Sequence, residues 1–315
     1  MKIDNGFLEY KSEAVYLGAI ISDSGSTRND IDMYVDKKRS NITIKYNNFI
    51  RKNTLAPLSV KLQILDTCVS SALIYGCESW GLSNIARIET TYRLGLKRAL
   101  SIRETFNTEI VNIETGRCPL SVRITQQQLS FWIALKKYLA DNLEHPLRHL
   151  IQQCEDLNIG YIKYYKNLSD KFTTPSDCRQ SLSAIHVENT RSKIRRLSDD
   201  DPDSRSGVYL RVNPELTTPT YDSSLLEFDR ISVSRYRSGS HMLKVEAGRL
   251  CCPKILRENR ICSCQTGVQS LHHVLFSCPL LHGLHNEFNF TTIEDAFQRN
   301  DIHNFFNKME KVLKL

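Results

Sequence analysis

The sequence has no apolar segment long enough to cross a bilayer, for which about 20 consecutive residues are needed. One of its most apolar stretches, Val15–Ile21, spans only seven residues. The first ten residues also contain no apolar run of the length found in signal peptides. These absences predict an intracellular protein, cytoplasmic or nuclear, that is not secreted and has no membrane partner.

Several motifs that mark enzyme active sites are also missing. The sequence contains no Gly-x-Ser-x-Gly, no phosphate-binding loop, no Gly-x-Gly-x-x-Gly and no His-Glu-x-x-His. Nucleotide polymerisation needs paired aspartates on a rigid hairpin, which hold two Mg²⁺ ions. The one acidic run, at residues 199–203, lies in a polar stretch that offers no rigid framework for a metal. We therefore predict no catalytic residue and no Mg²⁺ site.

Length and composition leave room for a substantial core. The chain has 315 residues, of which 41% are hydrophobic and 24% charged, so a globular protein of two or three domains is expected. Its ten cysteines are expected to be reduced inside a cell. Clustered cysteines are then expected to bind a metal, whereas scattered ones are expected to be small buried or half-buried side chains.

Three cysteines and a histidine are concentrated in one short stretch of the chain. Cys262, Cys264, His273 and Cys278 supply the thiolates and the imidazole that hold Zn²⁺ tetrahedrally. Four protein ligands leave no position for water or substrate, so the predicted Zn²⁺ is structural. Such an ion can contribute most of the folding energy of a small module.

The ligand spacings carry specific structural expectations. Cys262 and Cys264 are separated by one residue, and they can chelate together if extended, because side chains two apart share a strand face. Five helical residues would turn Cys278 away from His273, so a helix is expected to end between them. Pro279 favours this ending, because it disfavours helical backbone at the preceding residue.

Two alternatives for the ligand set follow from neighbouring residues. His273 is preferred to His272 because it gives a His-x4-Cys spacing, close to the short spacings typical of zinc sites. Cys251 and Cys252 are expected to be buried apolar residues. Either of them could instead replace a ligand if the Cys-x-Cys pair fails.

The chain carries a net charge of +7, and the segment 230–260 has eight lysines and arginines against two glutamates. Such a segment predicts salt-dependent binding of RNA or DNA through phosphates, with a solvated charged surface as the alternative. An aromatic ring and a histidine among these charges could stack on unpaired bases. The predicted nucleic-acid-binding residues are Arg230, Arg235, Tyr236, Arg237, His241, Lys244, Arg249, Arg257 and Arg260.

Apolar periodicity predicts a mainly α protein with a small N-terminal β element. Asn5-Gly6 marks a hairpin turn and Val15–Ile21 predicts a further strand. Helices are predicted from about 28 to 50, 57 to 75, 84 to 101, 108 to 115, 119 to 140 and 146 to 157. The predicted division is a β element at 1–25, a helical domain at 26–190, a flexible polar linker at 191–219 and a basic zinc-binding domain with terminal helices at 220–315.

The order of several short motifs resembles the region that follows the palm in reverse transcriptases of non-LTR (LINE-type) retrotransposons. The resemblance covers nearly the whole chain and ends in the Cys-x-Cys and His-x4-Cys-Pro pattern. Where the family commonly has Cys-x2-Cys, this chain has Cys-x-Cys. The motifs are, in order, Val15–Gly18, Leu73–Gly81, Leu96–Ile102, Glu114–Leu120, Leu129–Trp132 and Arg237–Arg249.

The resemblance implies a C-terminal fragment of such an enzyme. It would contain the end of the palm, a helical thumb-like array with its connector, and a C-terminal zinc knuckle that engages nucleic acid. The paired aspartates and the endonuclease of such elements are missing, so the chain is expected not to polymerise DNA without an upstream palm. The alternative is a non-catalytic helical protein, domesticated or decayed, that binds protein partners or has no activity.

Overall fold

The computed structural model describes residues 2–3, 6–7, 12–16, 19–22, 28–80, 85–157, 160–200, 204–221 and 225–315. The described chain is mainly helical, with short strands confined to its N-terminal part. The predicted mainly α fold class is therefore confirmed. The thumb-like arrangement and the zinc knuckle remain predictions.

Two short antiparallel strand pairs lie at the N-terminal end. Strand β1 (Lys2–Ile3) pairs with β2 (Gly6–Phe7), so the predicted first hairpin is present. Gly6, predicted to lie in the turn, instead lies in β2 opposite Ile3. Strand β3 (Glu13–Tyr16) pairs with β4 (Ala19–Ser22), and Tyr16 lies opposite Ala19. The prediction of one strand over residues 15–21 is therefore wrong, because Val15 and Tyr16 belong to one strand and residues 19–21 belong to the antiparallel strand that pairs with it.

The helices follow from residue 28 onwards and include two π-helical segments, Leu65–Ser70 and His273–Ser277. Residues 57–75, predicted as one helix, are divided because the first π segment lies between α2 and α3. The helices are α1 (Arg28–Lys52), α2 (Leu58–Ile64), α3 (Ser71–Ile74), α4 (Cys77–Trp80), α5 (Ile85–Leu100), α6 (Thr108–Thr115), α7 (Leu120–Asp141), α8 (Pro146–Asp156), α9 (Gly160–Lys171), α10 (Pro175–Asp200), α11 (Arg205–Val212), α12 (Glu227–Ser238), α13 (Lys244–Leu250), α14 (His282–Phe288), α15 (Ile293–Gln298) and α16 (Ile302–Leu313).

Local capping explains where several helices begin and end. The Asn107 side chain accepts the Glu109 N–H at 2.8 Å and so begins α6. Gly116 ends α6 in the left-handed region, with φ of 62°, where glycine has no steric penalty. Pro146 begins α8, because a first-turn residue needs no N–H donor.

The chain forms two compact units that do not follow sequence order. The first unit comprises Met1–Phe49, Ile64–Tyr92 and Pro119–Ala184. The second unit comprises Ile50–Gln63, Arg93–Cys118 and Ile185–Leu315. The contiguous domain division that the sequence predicts is not followed by these units.

One hydrophobic cluster of the first unit is built from α7, α8, α9 and the start of α10. Trp132 stacks on Tyr165 with ring centroids 5.5 Å apart, and the Tyr165 hydroxyl donates to the Glu78 carbonyl at 2.5 Å. The buried Gln128 amide donates to the Cys77 carbonyl at 3.1 Å and accepts from the Tyr164 hydroxyl at 3.0 Å. Buried polar groups here therefore have partners, as a stable core requires.

The core of the second unit joins α11, α12 and the terminal helices to the cysteine-rich stretch. Phe305 and Phe306 of α16 are fully buried, and the Phe306 ring stacks on Tyr236 with centroids 3.9 Å apart. Cys262 and Cys278 belong to the same buried cluster. The predicted metal ligands are therefore part of a larger hydrophobic core.

A buried carboxylate lies inside the second unit. Glu114 accepts hydrogen bonds from the hydroxyls of Tyr209 at 2.7 Å and Tyr221 at 3.0 Å. The Arg237 guanidinium forms an ion pair with it at 3.2 Å. Burial, reinforced by the negative charge of Glu114, raises the pKa of both tyrosines, so they stay protonated and donate to the carboxylate.

The region predicted as a flexible linker is largely helical. Residues 191–200 complete α10, and α11 lies wholly within the range 191–219. Ile194 and Tyr209 are fully buried in these helices. The polar composition misled the prediction, because a few apolar side chains at buried positions are enough to hold a mostly polar helix against a core.

Candidate metal centre

The first two predicted ligands lie on a tight hairpin. Ile261 bridges Val268 in antiparallel fashion, and the Cys262 N–H donates to the Gly267 carbonyl at 2.8 Å. The Gln265 N–H donates back to the Cys262 carbonyl at 2.9 Å, which closes a four-residue turn. Cys264 therefore lies in a turn, and the expected extended Cys-x-Cys pair is replaced by a more compact arrangement.

The other two ligands lie at the ends of a π-helical segment. The Cys278 N–H donates to the His273 carbonyl at 2.8 Å, which is the five-residue spacing of a π turn. The helical segment ends at Ser277, and Cys278 has extended backbone before Pro279. The expected helix ending between His273 and Cys278 is confirmed. In an α-helix Cys278 would be turned away from His273, whereas the π turn lets the two side chains face the same point.

The four ligand atoms converge on one point. The Sγ atoms of Cys262, Cys264 and Cys278 and a ring nitrogen of His273 all lie within 4.8 Å of one another. The Sγ atoms of Cys262 and Cys278 are 3.8 Å apart, and the Cys264 Sγ is 3.2 Å from the His273 Nε2. In a tetrahedral site with Zn–S bonds of about 2.3 Å, two sulfur atoms are separated by about 3.8 Å. This cluster could therefore hold a metal ion.

The pKa values of two cysteines in the cluster are shifted in opposite directions. Burial raises the pKa of the Cys264 thiol, but hydrogen bonds from Thr266 and His273 outweigh it and lower that pKa to about 6. Burial raises the pKa of the Cys278 thiol to about 12, and the neighbouring Cys262 adds to the rise. A metal ion must therefore displace a proton from Cys278, because thiolate is the ligating form.

A buried glutamine that the sequence analysis did not single out supports the site. The Gln269 side-chain amide donates to the Cys262 Sγ at 3.8 Å, and its oxygen accepts the Lys244 N–H at 2.9 Å. The Lys244 ammonium donates in turn to the Ile261 carbonyl at 2.8 Å. These contacts tie the start of α13 to the metal-ligand hairpin. No spacing pattern in the sequence points to Gln269, because its contacts with Cys262 and Lys244 depend on the tertiary fold.

The alternative ligands are not part of the cluster. Cys251 and Cys252 are both exposed and lie outside the group of converging atoms. Their expected burial is therefore wrong. Among the scattered cysteines, Cys77 and Cys178 are buried as expected, whereas Cys68 is exposed.

Five of the nine predicted nucleic-acid-binding residues are buried: Arg230, Tyr236, Arg237, His241 and Arg260. Arg230 forms an ion pair with Glu227 at 2.8 Å, and the Tyr236 hydroxyl donates to Glu310 at 2.8 Å. The Arg260 guanidinium donates to the carbonyls of Val245 at 2.6 Å and Ile255 at 3.0 Å. These side chains contribute to the interior, so in this conformation they are not available for phosphate or base contacts on an open surface.

The other four predicted residues are at least partly exposed. Arg235 donates from Nε to the Ser101 carbonyl at 3.0 Å, and Lys244 is exposed beside the metal-ligand hairpin. Arg249 forms an ion pair with Glu246 at 3.5 Å, and Arg257 is half-buried. A phosphate-binding role therefore stays a prediction for this smaller set.

Several basic side chains of α5 form ion pairs or hydrogen bonds within the chain. Arg87 forms an ion pair with Asp36, and Arg98 forms one with Glu104. The buried Lys97 ammonium donates to the Glu104 carbonyl at 2.7 Å.

No helix among the described residues combines the length and the apolar character that a bilayer crossing requires. Comparison of the chain with protein-family models, with curated proteins and with solved structures found no match.

Proposed function

We propose that this chain binds RNA or DNA through phosphate groups, and that a structural Zn²⁺ on Cys262, Cys264, His273 and Cys278 holds the binding surface in shape. The observation that carries the proposal is the contact between Lys244 and the metal-ligand hairpin. The Lys244 ammonium donates to the carbonyl of Ile261, which is next to Cys262 in the chain, and the Lys244 side chain is exposed. Metal binding would thus fix the position of an exposed cation.

The charge around this contact supports the same function. Lys254 is exposed and Arg257 is half-buried on the segment that connects α13 to the hairpin. Cations held on a rigid scaffold can neutralise several phosphates, and the released counterions make such binding steeply dependent on salt. We assign no base-reading residue, because Tyr236 and His241 are buried.

The sequence resemblance supports a more specific version of this proposal. In it, the chain corresponds to the post-palm part of a non-LTR retrotransposon reverse transcriptase and acts on nucleic acid beside a polymerase palm. The order of the sequence motifs from Val15–Gly18 to Cys278-Pro279 is its basis. The chain would have no polymerase activity by itself, because its sequence places no pair of aspartates on a hairpin that could hold two Mg²⁺ ions.

A second candidate function is protein interaction without catalysis, by a domesticated or decayed element. It is favoured by apolar side chains that are exposed on the first unit around α7 and α8. Leu143 is 65% exposed and Leu150 is 54% exposed. Exposed apolar side chains of this kind are a common feature of protein interfaces.

The test is binding of a fluorescent single-stranded RNA by the full chain over a range of salt concentrations. Replacing Lys244, Lys254 and Arg257 together by glutamine should weaken binding and reduce the slope of log K against log salt by about 2. The matched control replaces Lys137, Lys163 and Arg179, which are exposed on the first unit. Equal loss in the control, or no binding at low salt, would refute the proposal and favour the second candidate.

A further inference from the structure

The charges of three arginines act on one buried histidine in the second unit. His241 is 4% exposed, and its ring is stacked on Tyr236 with centroids 5.1 Å apart. Burial, followed by the positive charges of Arg103, Arg205 and Arg249, lowers the pKa of His241 to about 3. Its ring is therefore neutral at physiological pH. Arg235 is a further arginine nearby, since its charge acts on Arg103.

Three polar groups near this cluster are buried without a hydrogen-bond partner in the described structure. They are the Nη1 of Arg103, the Nδ1 of His241 and the Oγ of Ser232. The other terminal nitrogen of Arg103 donates to the His241 carbonyl at 3.0 Å, so the guanidinium is held in place. A buried polar atom without a partner is costly, typically by 1–3 kcal/mol, and so calls for an explanation such as a ligand.

The three unpartnered side chains line one cavity. Its volume is about 390 Å³, and Arg235 and Glu310 also contribute to its walls. Arg103, Ser232 and His241 come from three separate segments of the chain, which the fold of the second unit brings together. The cavity is large enough for a ligand of more than a few atoms.

The charges at the cavity favour an anion. The charged side chains that line the cavity are Arg103, Arg235 and Glu310, which leaves one net positive charge. Glu310 accepts from the Tyr236 hydroxyl, while Arg205 and Arg249 are paired with Glu246 at 2.7 Å and 3.5 Å. No described carboxylate forms a salt bridge with Arg103, whose charge is thus open to a ligand.

We propose that this cavity binds the phosphate group of a nucleotide, with Arg103 and Arg235 as its charged ligands and Ser232 as a neutral donor. A phosphate monoester is an anion, so it complements the net positive charge of the cavity wall. Arginine is well suited to this contact because its planar fork donates two hydrogen bonds to one phosphate. The neutral His241 ring can donate from Nδ1 in the appropriate tautomer.

The remaining walls indicate what the phosphate is attached to. Ile102, Phe228 and Met242 line the cavity, and Phe228 is 63% exposed at its position on α12. An exposed aromatic ring beside a phosphate site can stack on a nucleobase. The choice of a nucleotide rests on the proposed function, whereas the preference for a phosphate rests on the charges alone.

The test is calorimetric binding of adenosine 5′-monophosphate, inorganic phosphate and adenosine to the full chain. The monophosphate should bind at least tenfold more tightly than adenosine. Arg235→Gln should weaken its binding about tenfold, because charged hydrogen bonds of this kind contribute at least that factor. Ser232→Ala should weaken it about threefold without reducing stability, since the hydroxyl has no partner in the free chain.

The matched control is Arg195→Gln, which removes an exposed arginine from α10 outside the cavity wall. The inference is overturned if adenosine binds as well as its monophosphate, or if the control weakens binding as much as Arg235→Gln. It is also overturned if both cavity variants bind normally. Binding of the monophosphate without any binding of RNA would refute the proposed function and leave the cavity assignment intact.

A 5′-phosphorylated oligonucleotide and its 5′-hydroxyl form distinguish the source of the phosphate. Tighter binding of the phosphorylated strand, abolished by Arg235→Gln, would support a strand end as the ligand. Equal binding of both strands, together with binding of the monophosphate, would support a free nucleotide.

Discussion

The metal-ligand stretch 262–278 and the basic segment 230–260 are neighbours in sequence, yet the two predictions made for them ended differently. The four predicted ligands converge within 4.8 Å of one another. In the basic segment, five of the nine residues predicted to face nucleic acid are buried. A metal-ligand pattern predicts that its residues contact one another, and the spacing between them limits how they can do so. A run of charged residues does not show which of them face solvent and which are buried.

Helical periodicity explains part of this difference. Arg230 and Arg237 are seven residues apart on α12, so they lie on the same face as the buried Val233. Arg235 lies on the opposite side and is exposed. The prediction counted the charges of this segment without regard to helical periodicity, so it placed all of them on the surface. Arg230 and Arg237 can be buried because Glu227 and Glu114 form ion pairs with them.

The largest predicted effect is that of disrupting the metal ligands. Cys278→Ser should destabilise the second unit by more than about 5 kcal/mol, because structural Zn²⁺ contributes roughly 10–16 kcal/mol in small zinc-binding peptides. Urea unfolding, followed by circular dichroism with and without a chelator, measures the effect. Cys252→Ser is the matched control and should behave as the wild type. If Cys278→Ser were as stable as the wild type, the 262–278 stretch would not be a metal site, and the contrast with the basic segment would not hold.

The second effect concerns the buried Arg237. Glu114→Gln removes the carboxylate that pairs with it and should destabilise the chain by about 3–5 kcal/mol, because an uncompensated charge is left buried. Glu104→Gln, at an exposed carboxylate, should change stability by less than about 1 kcal/mol. Equal effects in urea unfolding would mean that Arg237 is not an interior residue.

The third effect is a pH dependence that follows from His241. Its pKa is lowered to about 3, so below about pH 6.5 the unfolded chain binds a proton there that the folded chain does not. The free energy of unfolding should then fall by about 1.4 kcal/mol for each pH unit between 6.5 and 4.5, and this contribution is fully present above pH 6.5. His241→Phe should remove that slope when the two chains are unfolded in urea across this range. Parallel curves would show that the ring is protonated in the folded chain.

The smallest effect tests whether Arg260 belongs to the interior. A Cβ at Gly248 would lie 2.7 Å from the Arg260 Nε, so Gly248→Ala should cost about 1–3 kcal/mol. Gly283→Ala, where a Cβ meets nothing within 4 Å, should stabilise α14 by about 0.5–1 kcal/mol. Thermal unfolding of the two variants gives opposite signs if Arg260 is fixed as described. The same sign in both would indicate a mobile Arg260.

Local signals in the sequence predicted much of the helical structure. The helix predicted from about 108 to 115 corresponds to α6, and the one predicted from about 146 corresponds to α8. The four side chains that converge into a cluster able to hold a metal ion also followed from residue type and spacing. These features depend on contacts between residues close in sequence, so they could be inferred without the fold.

The features that could not be predicted depend on contacts between distant segments. The buried carboxylate of Glu114 is matched by Tyr209, Tyr221 and Arg237, which lie about a hundred residues away in the chain. The role of Gln269 and the cavity at His241 likewise arise only when several segments meet. Residues 191–219 were misjudged because Tyr209 is one of few apolar residues there, and sequence alone does not show that it is buried.

The metal content of the purified full chain tests the central claim most directly. Native mass spectrometry should find one Zn²⁺ per chain in the wild type and in Cys251→Ser or Cys252→Ser. It should find none in Cys262→Ser or Cys278→Ser, because each of these removes one of the four converging ligands. A wild-type chain without zinc, or zinc retained in both ligand variants, would contradict the account.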